Sequence, residues 1–72
     1  MSYHNVQLQH DVINTLGNAV KPIPRDKLIH EVTNRGFKQQ RIYREAEIIE
    51  VLEYLVKLDF VHEHEGKYEW FE

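Results

Sequence analysis

The sequence predicts an α+β domain, a three-helix bundle followed by a C-terminal β-hairpin. Three observations predict it. Leu8, Val12 and Leu16 recur every four residues, the spacing of one helix face. An apolar-rich segment over residues 39–58 repeats at the same period. Beyond it, two short runs rich in β-formers flank Glu65-Gly66, a two-residue loop of a kind hairpins favour.

The chain has 72 residues, so a single domain over 1–72 is expected, with residues 1–4 loose. Val6 and Ile13 widen the first stripe, which predicts a helix over 5–17. Gly17-Asn18 can end it, since both residues tolerate a left-handed conformation. Lys21-Pro22-Ile23-Pro24 is extended, because two prolines one residue apart forbid a helix there. Ile23 fits a very short strand. Pro24 suits the first turn of a second helix over 24–34, and Asp26 the positive end of its dipole. Leu28, Ile29 and Val32 are its buried stripe. Gly36 is the expected left-handed stop, with Phe37 a core plug behind it.

The third helix, over 39–58, should be the central element. Ile42, Ala46, Ile49, Leu52 and Val56 share one face, broadened by Ile48, Val51, Leu55 and Leu58. Tyr43, Glu47, Glu50 and Tyr54 form the exposed stripe. In the hairpin over 60–71, His64 pairs with Lys67, Glu63 with Tyr68, His62 with Glu69, Val61 with Trp70 and Phe60 with Phe71. Val61, Tyr68 and Trp70 should cover the core, leaving Phe60 and Phe71 on the far face.

Composition narrows the function. There is no cysteine, so there is no disulfide framework and no thiolate metal site. No apolar run is long enough to span a bilayer, and the N-terminus lacks the pattern of a signal peptide. A cytoplasmic protein with no membrane partner is the expectation. The net charge is -3, unevenly spread. Residues 21–44 carry seven basic groups against two acids; residues 45–72 carry two against nine. That asymmetry makes a dipolar surface if the fold keeps the segments apart.

The order of elements resembles the winged-helix form of the helix-turn-helix domain. "PIPRDKLIHEV" looks like its short strand and second helix, and "IIEVLEYLVKLDFVHEHEGKYEW" like the end of its third helix and the wing. Leu52, Leu55, Leu58, the break at Asp59, Val61, the Glu65-Gly66 loop and Tyr68 carry the likeness, which spans residues 6–71. It implies the order helix, strand, helix, helix, hairpin. It also implies double-stranded DNA as a partner and a transcription-regulator-like role; since a monomer with a small basic tip and an acidic wing would bind DNA weakly, a dimer through the third helix, or a wing kept off the DNA, is expected. Other winged helices serve as protein-interaction or dimerisation modules.

Under the DNA reading, the N-terminal residues of the third helix enter the major groove. Gln39, Gln40, Arg41, Tyr43 and Arg44 are the candidate contacts, because Gln and Arg can bond adenine and guanine edges. Arg25, Lys27, Arg35 and Lys38 are placed to meet phosphates. Against this stand Glu47 and Glu50 on the same stripe, and a wing carrying Glu63, Glu65 and Glu69. A wing along DNA is ordinarily basic. The plainer role of Arg41 and Arg44 is helix solvation and pairing with Glu45 and Glu47.

Under the interaction-module reading, Phe60 and Phe71 add aromatic area beyond a minimal core, and Leu8 and Val12 can build a homodimer seam. The plainer role of the two phenylalanines is to wrap the hairpin onto the third helix. His62 and His64 share a strand face, but a closed zinc site needs about four ligands, so no metal is expected. Histidine titrates near pH ~6.5, so acidification would make this wing less acidic and favour DNA. No nucleophile–base set and no glycine-rich phosphate loop is present, so neither an enzyme, a cofactor nor a small-molecule substrate is expected.

Overall fold

A computed structural model describes residues 6–70. The elements are α1 (Val6–Gly17), β1 (Ile23–Pro24), α2 (Arg25–Lys38), α3 (Glu45–Lys57), β2 (Val61–His64) and β3 (Lys67–Trp70). Three helices followed by a hairpin give an α+β fold with the winged-helix order of elements. Residues 1–4, Asn5 at the expected helix start, and Phe71 lie outside the described residues. Among the described residues no helix is long and apolar enough to cross a membrane.

One core unites the elements. Leu8, Val12 and Leu16 from α1 meet Leu28 and Val32 from α2. Ile48, Val51, Leu52 and Leu55 from α3 join them, and Ile23, Val61 and Tyr68 close the core from the sheet. The antiparallel sheet has strand order β1-β3-β2. Val61 faces Trp70 and His64 faces Lys67, as the hairpin arithmetic predicts. Ile23 pairs with Tyr68, and the Arg25 N–H donates to the Gly66 carbonyl at 3.2 Å, so the wing turn is tied to the start of α2. Glu65 and Gly66 both have positive φ, 54° and 79°, the signature of a type I′ turn.

The helix ends depart from the sequence reading. The α1 helix does end at Gly17 as expected, but neither Gly17 nor Asn18 is left-handed. Pro24 caps α2 in an extended conformation rather than entering its first turn. The second helix runs past Gly36 to Lys38. Gly36 is there for closeness: a Cβ on it would stand 2.8 Å from the Tyr43 ring.

The left-handed residue is Gln40, at φ 61°. The Gln40 N–H donates to the Phe37 carbonyl and the Arg41 N–H to the Gly36 carbonyl, at 2.9 and 2.7 Å. That pair of bonds is a Schellman motif, and it ends the helix. A second one closes α3. Asp59, at φ 68°, donates to Val56, and Phe60 donates to Leu55.

The third helix therefore starts at Glu45, not near residue 39. Ile48, Val51, Leu52 and Leu55 are its buried residues. Ala46 is exposed, Ile49 and Val56 are half-buried, and Leu58 is exposed beyond the helix end. Ile42 and Phe37, expected in the core, are 79% and 57% exposed.

Candidate interaction surfaces

A buried carboxylate organises the turn between α2 and α3. Asp11 sits on the inward side of α1 and is only 2% exposed. The Tyr43 hydroxyl donates to its Oδ2 at 2.6 Å, and the Gln39 amide donates to both oxygens, at 3.1 and 3.3 Å. Gln7 donates to Asp11 at 3.4 Å and to the Gln39 Oε1 at 3.0 Å. Burial, then the hydrogen bond to Asp11 and its nearby charge, pushes the Tyr43 phenol up to about 12. No buried polar side-chain atom among the described residues lacks a partner.

This clamp divides the nine candidate nucleic-acid contacts. Tyr43 turns inward, while Gln39 stays exposed and reaches Asp11 with its amide, so the Gln39 amide and the Tyr43 hydroxyl are both engaged within the fold. Gln39, Gln40, Arg41 and Tyr43 lie in the turn rather than on a helix tip, and Arg44 is the N-cap of α3. The Arg44 N–H donates to the Glu47 carboxylate at 3.0 Å, which starts the helix. Lys38, Gln40, Arg41, Ile42 and Arg44 are exposed. Lys38, Arg41 and Arg44 enter no ion pair among the described residues. The turn is thus a basic tip carrying an apolar residue, held rigid from beneath.

The remaining cations line α2. Lys27 and Arg35, with Lys21 and Lys67, border a groove of about 640 Å³ between the end of α1, β1 and α2. Arg35 and Lys38 border a smaller depression of about 410 Å³ with Glu31, Asn34 and Gln39. Arg25 lies 3.8 Å from Glu53, and its hydrogen bond to Tyr68 is the main cause that raises its pKa further. Of these groups only Arg25 reaches the exposed face of α3, through Glu53.

That exposed face is acidic. Ala46, Glu47, Ile49, Glu50 and Glu53, all from α3, line a shallow hollow of about 470 Å³ that mixes two apolar side chains with three carboxylates. Helical periodicity assigns Ala46 and Ile49 to the core stripe, which hid the hollow. The wing adds Glu63, Glu65 and Glu69, all exposed, beside His62, His64 and Lys67. His64 lies 3.9 Å from Glu65. Among the described residues no group of three or more His, Cys, Asp or Glu is placed to hold a metal ion.

The expected interface residues fare differently. Leu8 and Val12 are core residues, so they form no seam on the surface. Phe60 is 48% exposed, but its ring stacks on Trp70 with centroids 6.0 Å apart. The left-handed Asp59 turns the chain just before Phe60, so Phe60 does not follow the strand alternation that would set it opposite Trp70. No protein-family model, curated protein or solved structure matches the chain. The fold therefore rests on topology: a three-helix bundle and antiparallel hairpin consistent with the winged helix, a scaffold compatible with nucleic-acid or protein partners.

Proposed function

We propose that this chain is a protein-interaction module on a winged-helix scaffold, and that the α3–wing surface meets protein rather than DNA. One observation carries the reading. The helix that would enter the major groove exposes Glu45, Glu47, Glu50 and Glu53, and the wing beside it exposes Glu63, Glu65 and Glu69. Duplex DNA carries a negative charge every ~1.7 Å along its axis, and phosphate contacts supply most non-specific affinity. Docking through α3 would set carboxylates against phosphates. The same carboxylates beside Ala46 and Ile49 suit a protein partner carrying cations and an exposed apolar residue.

The basic groups on α2 and the tip favour a second reading, in which DNA is held by Lys27, Arg35, Lys38, Arg41 and Arg44 at the side of α3. Binding to labelled random duplex DNA across a salt series separates the two. The module reading expects no binding even at low salt. Binding that falls steeply with salt, and that weakens in Arg41→Ala/Arg44→Ala, would overturn it in favour of DNA.

A further inference from the structure

We infer that the partner of the α3 hollow is a second copy of this chain, and that the basic tip of each copy fills the hollow of the other. The inference rests on the reading of α3 as a protein surface and names its occupant.

The two surfaces match in chemistry. The tip presents Ile42, 79% exposed, among Lys38, Arg41 and Arg44. The hollow presents Ala46 and Ile49 beside Glu50, with Glu47, which also accepts the Arg44 N–H, and Glu53, which Arg25 of the same chain approaches at 3.8 Å. Apolar groups meet apolar groups at the centre, and cations meet carboxylates at the rim. That is the arrangement of a protein interface with a dry core and a polar edge. The tip is also preorganised. Asp11 holds Gln39 and Tyr43 from inside, and the Schellman motif fixes the chain through Gln40. Little conformational freedom remains to be lost on docking.

The placement in the chain sets the symmetry. The tip ends at Arg44, the residue that caps α3, and the hollow begins at Ala46. Donor and acceptor surfaces are therefore neighbours on each protomer. A two-fold axis passing between them seats each tip in the opposite hollow, which gives a closed dimer with two equal contacts.

Sedimentation of the full chain at low and high salt tests this. Rim ion pairs between exposed groups are screened by salt. The expected result is a concentration-dependent dimer at low salt that dissociates to monomer as salt is raised. Arg41→Glu/Arg44→Glu and Glu50→Lys/Glu53→Lys change exposed side chains, and far-UV circular dichroism melts confirm that each variant folds. Each variant alone should be monomeric at low salt. An equimolar mixture should form a heterodimer, because the acidified tip then faces a basic hollow while the native basic tip faces a native acidic hollow. A wild-type chain that stays monomeric at every concentration, variants as dimeric as wild type, or a mixture that does not associate would each overturn the inference. The DNA titration reads the underlying proposal separately. A monomer that ignores DNA removes only the homodimer, whereas salt-sensitive DNA binding lost in the tip variant removes the module reading itself.

Discussion

Asp11 shows how one side chain positions a distant loop. It lies within an otherwise apolar stripe of α1, yet its oxygens receive the Tyr43 hydroxyl and the Gln39 amide from 32 and 28 residues further along the chain. Asp11→Ala would leave the buried Tyr43 hydroxyl without an acceptor, while the exposed Gln39 amide keeps its bond to the Arg35 carbonyl, and should cost about 2 kcal/mol in chemical denaturation. Tyr43→Phe keeps the ring against Gly36 and loses one bond, so about 2 kcal/mol is expected. The raised phenol also gives a pH signature. The folded state holds the Tyr43 proton above pH 10, where an unfolded tyrosine releases it. Stability from this group is complete below about pH 10 and is lost as pH rises through about 12. A stability–pH profile of wild type should fall more steeply in that window than one of Tyr43→Phe. Gly36→Ala places a methyl 2.8 Å from the Tyr43 ring. It should cost ~1–3 kcal/mol by overpacking, read as a lowered melting temperature.

At the scale of elements, the two helix stops use unusual residues. Gln40 and Asp59 occupy left-handed positions where glycine is ordinarily found. Gln40→Gly should raise stability by about 0.5–1 kcal/mol, and Asp59→Gly by less, since aspartate tolerates that conformation better. Thermal melts of the two variants check the order. These stops also show where sequence reasoning fails. The first helix was legible because Leu8, Val12 and Leu16 keep one period. The hairpin register was legible because a two-residue loop leaves no other pairing. The boundary between α2 and α3 was not legible. A glycine followed by phenylalanine reads as a stop, whereas Gly36 is small to admit a ring from seven residues later, and glutamine carries no signal for a left-handed turn. With the boundary shifted, Ile42 was assigned to the core and Tyr43 to the surface, the reverse of their places.

At the scale of the whole molecule, the charge split along the chain becomes a split between surfaces. The basic segment forms α2 and the tip, and the acidic segment forms α3 and the wing. Their sequence separation predicted a dipolar surface, and Lys27 and Arg35 line one groove while Glu47, Glu50 and Glu53 line another, with Arg25 bridging to Glu53 at 3.8 Å. The exposed cations of the candidate site were legible from charge alone. Its acidic counterpart was half legible: Glu47 and Glu50 stand out in the sequence, but the apolar pair beside them does not. The clamp beneath the tip left no trace, because it joins residues of ordinary type across long stretches of chain.

The strand order β1-β3-β2 leaves β1 and β2 as the outer strands. The first is two residues long and ends in Pro24, which has no N–H to offer a neighbouring strand. The second carries His62, Glu63 and His64, all exposed, along four residues. Short, proline-bearing or charged borders resist extension by another chain's backbone. The sheet is therefore guarded against fibre growth and open-ended strand addition, and association of this protein is directed to its side chains and helices.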